Sequence, residues 1–170
     1  IFRSLFANNG LVNYVLVNLG ILDKPYNFLT QPFAAKIVII LALLWRWTGY
    51  NMVFFLSGLQ NIEYSVYEAA KIDGASAIQT FFKITVPLLK PTILLTAIMS
   101  TNGTLQLFDE SVNLTDGGPA NASISMSHYI YNLCFKYVPN FGYAAAMSFF
   151  ILLLVAVLAF IQMRVGDKRD

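Results

Sequence analysis

Three apolar stretches of this 170-residue chain are long enough to cross a membrane as helices. They cover residues 37–59, 92–108 and 143–163, and a hydrocarbon core of about 30 Å requires roughly 20 residues of α-helix. The last stretch is the purest, since Ser148 is the only polar residue between Tyr143 and Ile161. The middle stretch contains several polar residues, but its place between two stronger stretches favours a third span.

The segments around these spans are polar or amphipathic. Residues 1–36 carry several turn signals and are predicted to form an external loop with short amphipathic pieces. Residues 60–91 are predicted to be helical in two pieces, broken at Asp73-Gly74. Residues 109–142 form a second predicted external loop, and residues 164–170 a tail. The pattern predicts an all-α fold, a polytopic transmembrane helical bundle.

Two of the predicted spans have a polar face. Residues at i, i+3, i+4 and i+7 lie on one side of a helix, and polar groups deep in a membrane usually face a cavity or another helix. An aromatic ring beside amides and hydroxyls suits a sugar, which offers hydroxyls at its edge and C–H groups on its faces. The alternative, that small and polar residues only permit close helix packing, stays open. The two faces are Trp45, Thr48, Gly49 and Met52, and Met99, Asn102, Gly103 and Gln106.

Arg46 is an unexpected charge in the first span. At 1.5 Å per residue it lies about 14 Å into the span, close to the middle of the membrane. One interpretation is a structural charge that pairs within the bundle or reaches a wet cavity. The other is a role in a solute pathway or a subunit interface.

Composition supports a membrane protein and excludes several other classes. The chain is 57% hydrophobic and 12% charged, with a mean hydropathy of +0.61, which leaves too little polar material for a water-facing shell. The net charge of +2 does not suggest nucleic-acid binding. Since Cys134 and His128 are each the only residue of their type, we expect no disulfide, metal site or catalytic triad.

The distribution of cations suggests an orientation. Cytoplasmic loops are enriched in Lys and Arg, and residues 60–91 with the tail hold more of them than the two predicted external loops. We therefore expect the 60–91 loop and the carboxy terminus to be cytoplasmic. The first group is Lys71, Lys83, Lys90, Arg164, Lys168 and Arg169, and the second is Arg3, Lys24, Lys36 and Lys136.

The 60–91 loop contains the most specific motif in the chain. Glu68-Ala69-Ala70 is followed by Gly74, then by Ile84 and Pro87. This spacing resembles the EAA loop of the permease subunits of bacterial binding-protein-dependent ABC importers, with Val86 where that pattern has leucine. The flanking sequence and the Asp116-Gly117-Gly118-Pro119 turn resemble the carbohydrate-uptake branch, which includes the maltose and glycerol-phosphate permeases.

The resemblance implies that this loop docks on an ATP-hydrolysing subunit. Small alanines allow a helix to seat closely on a partner, and glycine provides the backbone freedom for a tight break. The residues implied in ATPase coupling are Glu68, Ala69, Ala70, Asp73, Gly74, Ile84 and Pro87. By the same resemblance, the faces around Trp45 and Asn102 line the solute path.

Several partners follow from the resemblance. The chain has no phosphate-binding Gly-x-x-x-x-Gly-Lys-Ser/Thr motif, so it is not expected to be an enzyme, and ATP and Mg are expected in a pair of partner ATP-binding subunits. A second permease subunit, forming a heterodimer, and an external solute-binding protein are also implied, in a bacterial inner membrane. A six-span relative would end in these three spans, so the amino-terminal spans are expected to be missing.

The implied function is sugar import by alternating access, driven by the partner ATPase. A structural membrane subunit without a solute path is an alternative. An ion-coupled secondary transporter is less favoured, since such proteins have paired carboxylates within the membrane. Here Asp109 and Glu110 lie only at the end of a predicted span.

Overall fold

A computed structural model describes residues 1–166 of the chain. Lys168 and Arg169, which contribute to the predicted cytoplasmic tail, lie outside the described residues. The α-helices within that range are α1 (Phe2–Leu5), α2 (Leu11–Asn18), α3 (Pro32–Gln60), α4 (Tyr64–Ile72), α5 (Ala77–Thr80), α6 (Val86–Leu88), α7 (Lys90–Leu105), α8 (Met126–Tyr131) and α9 (Phe141–Gly166). Phe81–Thr85, Ser111–Thr115 and Asn132–Lys136 are π-helical turns, and Pro119–Asn121 is a 3-10 turn.

Two helices, α3 and α9, are long and apolar enough to cross a membrane. The segment Ala77–Leu88 and α7 together meet the same criteria, but they are bent by 64° at the break between them. The described residues are helical or irregular and contain no strand, which confirms the predicted all-α fold. Of the three predicted spans, two are single helices, and the bent pair is the candidate for the third.

The helix ends differ from the predicted span limits. Helix α3 begins at Pro32, inside the segment predicted as a loop, because proline has a helix-compatible φ and its missing N–H is not needed in the first turn. Helix α7 ends at Leu105, before the predicted limit, and α9 extends from Phe141 to Gly166. Helices α3 and α9 are therefore both longer than the apolar stretches that predicted them.

The chain divides into two compact units, which are described separately. The first contains residues 1–46 and 103–154. In its core, buried Val38, Ile39 and Ala42 of α3 pack with Leu114. Partly buried side chains surround this core: Phe2, Phe6, Phe28, Leu29, Leu43 and Leu107.

A single amide organises the amino-terminal part of the first unit. The Asn13 side chain is 1% exposed, and its Nδ2 donates to the carbonyls of Ala7 at 3.1 Å and Tyr26 at 2.9 Å. Its Oδ1 accepts from the Tyr26 N–H at 2.8 Å. Because this amide forms hydrogen bonds with three backbone groups, it holds the segment before α3 in a folded-back conformation.

Among the described residues, the second unit contains residues 47–102 and 155–166. Two side-chain hydrogen bonds join its helices: Asn51 Nδ2 donates to Ser100 Oγ at 3.1 Å, and Gln162 Nε2 donates to Thr101 Oγ1 at 2.8 Å. Such bonds are typical of helix pairs in membranes, where lipid offers no competing partner. These polar residues therefore hold α7 against α3 and α9.

Candidate functional site

Helix α4 carries the Glu-Ala-Ala motif and ends in a hydrogen-bonded glycine cap. The Ala75 N–H donates to the Ala70 carbonyl at 3.0 Å, and the Gly74 N–H donates to the Lys71 carbonyl at 3.1 Å. Gly74 has a φ of +74°, the left-handed conformation that this cap requires. The glycine in the motif is thus explained by the backbone geometry at the end of α4.

A second cap starts the next helix immediately after this turn. The Gln79 N–H donates to Ser76 Oγ at 3.3 Å, and the Ser76 N–H donates to Gln79 Oε1 at 2.8 Å. This reciprocal pair is a capping box. The two caps together produce the break at Asp73-Gly74, so the predicted pair of helical pieces is confirmed.

The loop has an inner side and an outer side. Ala70 is 5% exposed, and the Tyr67 hydroxyl lies 3.2 Å from Oγ1 of buried Thr85. On the outer side, Ile72 is 85% and Ile78 is 72% exposed. Large exposed apolar side chains beside charged ones are typical of interaction surfaces.

The predicted coupling residues fall into two groups, one on each side of the loop. Ala70 is buried and Ile84 is partly buried, so both contribute to packing of the loop itself. The remaining five are exposed: Glu68, Ala69, Asp73, Gly74 and Pro87. Pro87 lies within α6, and the bend into α7 follows it at Leu89.

The predicted polar faces are exposed within their units. Trp45 is 75% and Met52 is 56% exposed. Thr48, Gly49, Asn102 and Gln106 are also exposed, and Gly103 is partly buried. Asn51, Ser100 and Gln162, which lie outside the predicted faces, bind side chains of neighbouring helices.

Arg46 forms an ion pair that spans a long sequence separation. Its Nη1 lies 2.8 Å from Oε1 of Glu110, and the two side chains are 44% and 11% exposed. This agrees with the interpretation of Arg46 as a charge that pairs within the bundle. A charge-assisted bond of this kind fixes the start of the 109–142 segment beside α3.

His128, predicted to have no chemical role, is the centre of a buried network. Its Nδ1 lies 2.8 Å from Ser111 Oγ, which donates to the Ser123 carbonyl at 2.8 Å. Since that hydroxyl proton is used, we assign the Nδ1 proton to His128 as the donor to Ser111. Both side chains are fully buried, so no substrate reaches them.

Two charged residues lie next to this network. Lys136 Nζ donates to Asp116 Oδ1 at 2.7 Å, and the same oxygen is 3.7 Å from His128 Nε2. The hydrogen bond from Lys136 holds the pKa of Asp116 below its ordinary value, and burial lowers the pKa of His128. Ser111, Asp116 and His128 thus stabilise the segment between α7 and α8. In the sequence, the only signal for this network is a short polar stretch around the single histidine.

No metal site emerges from this geometry: among residues 1–166, no three His, Cys, Asp or Glu side chains come together in a way that would hold an ion.

Comparison with known proteins identifies the family of this chain. A family model described as "Binding-protein-dependent transport system inner membrane component" matches residues 5–169. The lactose transport system permease protein LacF of Rhizobium radiobacter is 53% identical over 99% of this chain and 57% of its own length. The trehalose/maltose transport system permease protein MalF of Thermococcus litoralis is 37% identical over 94% of this chain and 53% of its own length. The chain spans about half the length of these curated relatives.

Solved structures have the same fold. A bacterial ABC transporter involved in the import of the acidic polysaccharide alginate matches with a TM-score of 0.83 and 24% identity, over 97% of this chain and 57% of that one. A bacterial alginate ABC transporter in complex with alginate pentasaccharide-bound periplasmic protein matches with a TM-score of 0.73 and 25% identity, over 96% of this chain and 55% of that one.

Proposed function

Because this chain belongs to the family of binding-protein-dependent transport system inner membrane components, we propose that it is part of the permease subunit of an ATP-driven sugar importer. Membership in this family confirms the resemblance drawn from the Glu68–Gly74 motif and makes the chain a membrane component, not an enzyme. The proposal rests on the outer side of α4 and α5. This surface presents a carboxylate and large apolar side chains, and α4 ends in a rigid glycine cap.

This surface docks on a separate ATP-binding subunit. Exposed Glu68 and Asp73 provide negative charge for a cationic groove, while Ile72 and Ile78 provide apolar area. The Tyr67–Thr85 contact holds the loop together, so that a movement of the partner is passed on to α7. ATP and Mg bind in the partner pair, and its closing and opening drive alternating access.

The solute is a sugar, and the exposed faces of α3 and α7 line its path. Relatives in this family carry names for lactose, trehalose/maltose and multiple sugars. The lining residues are Trp45, Thr48, Gly49, Met52, Asn102, Gly103 and Gln106. Aromatic, amide and hydroxyl groups in this combination complement the C–H faces and hydroxyl edges of a saccharide.

The complete importer contains further chains. A second permease subunit pairs with this one as a heterodimer, and an external solute-binding protein delivers the sugar. The loop carrying Glu68 and the carboxy terminus face the cytoplasm. One of the alginate transporters of this fold is in complex with a periplasmic protein, which supports the same arrangement here.

Co-purification tests the coupling surface. The full-length subunit is captured from membranes through a tag, and the amount of ATP-binding subunit retained is measured by quantitative immunoblot. We expect Gly74→Trp and Glu68→Arg each to reduce capture at least tenfold, because one blocks the docked face and the other reverses its charge. Glu63→Gln, an exposed carboxylate on the same loop but outside the motif, is the matched control.

Undiminished capture by both variants would contradict the coupling role. ATP-dependent sugar uptake by the same preparations in proteoliposomes separates the permease from a structural subunit, which would retain the ATPase without moving solute. Uptake that requires an ion gradient and does not depend on ATP would instead indicate a secondary transporter.

A further inference from the structure

Helix α2, in the segment before α3, is apolar on the side that faces outward as well as on the side that faces inward. Leu11, Tyr14 and Leu19 are 60%, 68% and 68% exposed, whereas Leu16 is partly buried. From residue 4 to residue 22 no side chain is charged. A helix that is apolar on every side is normally covered by protein or by lipid. The outer side of α2 therefore requires an apolar partner.

The packing of neighbouring residues fixes the depth of α2. Helix α3 has 29 residues, so it is about 43 Å long and longer than a hydrocarbon core of about 30 Å. Phe6 packs against the core that contains Val38 and Ala42, which lie about 9 and 15 Å from the start of α3. Because Asn13 of α2 binds the carbonyl of Ala7, the residue after Phe6, α2 is held near the same level. This level is the boundary between headgroups and hydrocarbon.

Exposed aromatic rings lie around the same boundary. Tyr14, Tyr26 and Phe33 are 68%, 41% and 78% exposed. Phe33 is in the first turn of α3, and the Tyr26 ring is 5.0 Å from the ring of Phe28, which packs against the same core as Phe6. Aromatic side chains, tyrosine in particular, are enriched where headgroups meet the hydrocarbon, because their rings are amphipathic. The aromatic residues thus favour lipid as the partner of α2.

A cavity of about 330 Å³ lies beside α2. Three exposed amide side chains, Asn8, Asn9 and Asn18, line it together with apolar Val17 and Pro25. Within residues 1–166 these three amides form no side-chain hydrogen bond, and none of the described residues that line the cavity is charged. Neutral amide donors next to an apolar helix suit the phosphate and ester oxygens of a lipid headgroup.

We propose that α2 lies in the external headgroup layer and binds a zwitterionic phospholipid, with the acyl chains on the outer side of α2 and the headgroup in the cavity. The inference rests on the proposed function, because the orientation given there places this segment outside. A soluble partner protein is the competing occupant, but charge at an interface usually guides such docking and α2 has none. The lack of Lys and Arg also gives no preference for anionic lipids.

Spin labels test the position of the outer side. The full-length subunit is assembled with its partner chains in nanodiscs, with Cys134→Ser and any other cysteine of the complex replaced. A nitroxide is attached at Leu11→Cys, at Tyr14→Cys or, as the control in an exposed charged turn, at Asp23→Cys. Collision rates with oxygen, which dissolves in lipid, and with a water-soluble nickel chelate are measured by EPR. We expect oxygen to be favoured at both α2 labels and the nickel chelate at the control.

Lipid titration tests the cavity. Assembled complexes are titrated with phosphatidylethanolamine, and the bound lipid is counted by native mass spectrometry, with phosphatidylglycerol titrated in parallel. We expect Asn9→Ala/Asn18→Ala to raise the apparent Kd for phosphatidylethanolamine about fivefold for each lost hydrogen bond. Both positions are exposed, so assembly should be unaffected. Asn27→Ala, an exposed amide of the same segment outside this cavity, is the matched control.

Each contrary result identifies a different occupant. Nickel-favoured collisions at both α2 labels would overturn the lipid contact, and their decrease on addition of the solute-binding protein would assign the outer side to a soluble partner. Low collision rates with both reagents would show that another protein segment covers it. An unchanged Kd in Asn9→Ala/Asn18→Ala, or tighter binding of phosphatidylglycerol, would overturn the headgroup site.

A separate measurement tests the orientation on which the inference rests. A membrane-impermeant thiol reagent is applied to sealed vesicles of known sidedness that contain Asp23→Cys. Reaction from the external side is expected. Reaction only from the cytoplasmic side would contradict the orientation in the proposed function, whereas oxygen-favoured collisions at α2 would still establish its lipid contact.

Discussion

The hydroxyl oxygen of Tyr67 lies 3.2 Å from the hydroxyl oxygen of Thr85, across the turn that Gly74 makes between α4 and α5. Thr85 is the last residue of the π-helical turn Phe81–Thr85. The wider π turn changes the direction of the side chains that follow it compared with a regular α-helix. This contact joins α4 to the segment leading to α7 through two side chains.

Removing this link should loosen the loop. We expect Tyr67→Phe and Thr85→Val each to lower the free energy of unfolding by about 1 kcal/mol, the typical net value of one partly buried hydrogen bond. Chemical denaturation in mixed micelles measures this loss. The double variant should cost little more than either single one. Tyr64→Phe on the same helix, 75% exposed, should have no measurable effect. Fully additive losses would show that the two hydroxyls do not interact.

Gly74 and Gly49 provide a matched test of backbone conformation. Among residues 1–166, a Cβ at either position would meet no atom within 4 Å beyond the adjoining backbone and neighbouring residues, but of the two only Gly74 has a positive φ. We expect Gly74→Ala to destabilise by about 1 kcal/mol, because the left-handed conformation is strained for alanine. Gly49→Ala should stabilise by about 0.5–1 kcal/mol, because alanine favours a helix interior. Thermal unfolding of both variants should therefore shift in opposite directions. Shifts of the same sign would contradict the assigned geometry.

Gly58 differs from Gly49 in its surroundings. A Cβ at Gly58 would lie 2.9 Å from both Leu89 Cδ2 and Thr92 Oγ1. Helix α3 and the start of α7 are therefore so close here that only the hydrogen of a glycine fits. We expect Gly58→Ala to destabilise by about 1–3 kcal/mol through overpacking. Its denaturation midpoint is compared with that of Gly49→Ala in the same helix. Adding Leu89→Ala should recover part of the loss if crowding is the cause. A stabilising Gly58→Ala would show that the helices are further apart.

Local signals explain why much of the loop could be predicted from the sequence. Gly74 and the residues around it specify the break between α4 and α5 through contacts within a few positions. The apolar runs of α3 and α9 are likewise local patterns, and both helices are present. Pro87 lies in the first turn of α6, where proline is tolerated, and the bend into α7 follows it at Leu89.

Long-range pairs could not be predicted in the same way. Glu110 is far from Arg46 in sequence, and no local pattern identifies it as the partner. As the only histidine, His128 is predicted to form no metal site or catalytic triad, and no local pattern indicates the contacts with Ser111 and Asp116 that give it a structural role. The π turns also have no signal in hydrophobic periodicity, since they depend on which side chains meet after packing.

The network around His128 should make the first unit sensitive to acid. Burial lowers the pKa of His128 from its ordinary 6.5, and the Lys136 ammonium adds to this although the Asp116 carboxylate opposes it. The unfolded chain therefore takes up a proton at a higher pH than the folded one. Stability is fully present above pH 6.5 and falls as the pH decreases towards the lowered folded-state pKa.

Asp116 acts in a separate, lower pH range. The hydrogen bond from Lys136 lowers the pKa of Asp116 from 3.8, so its contribution is present above that value and disappears below it. Unfolding free energies measured between pH 7.5 and 3 should thus decrease in two steps. His128→Asn, whose amide can still donate to Ser111, should remove the upper step and keep the lower one. Asp116→Asn should do the reverse. An upper step that persists in His128→Asn would mean that another group titrates there.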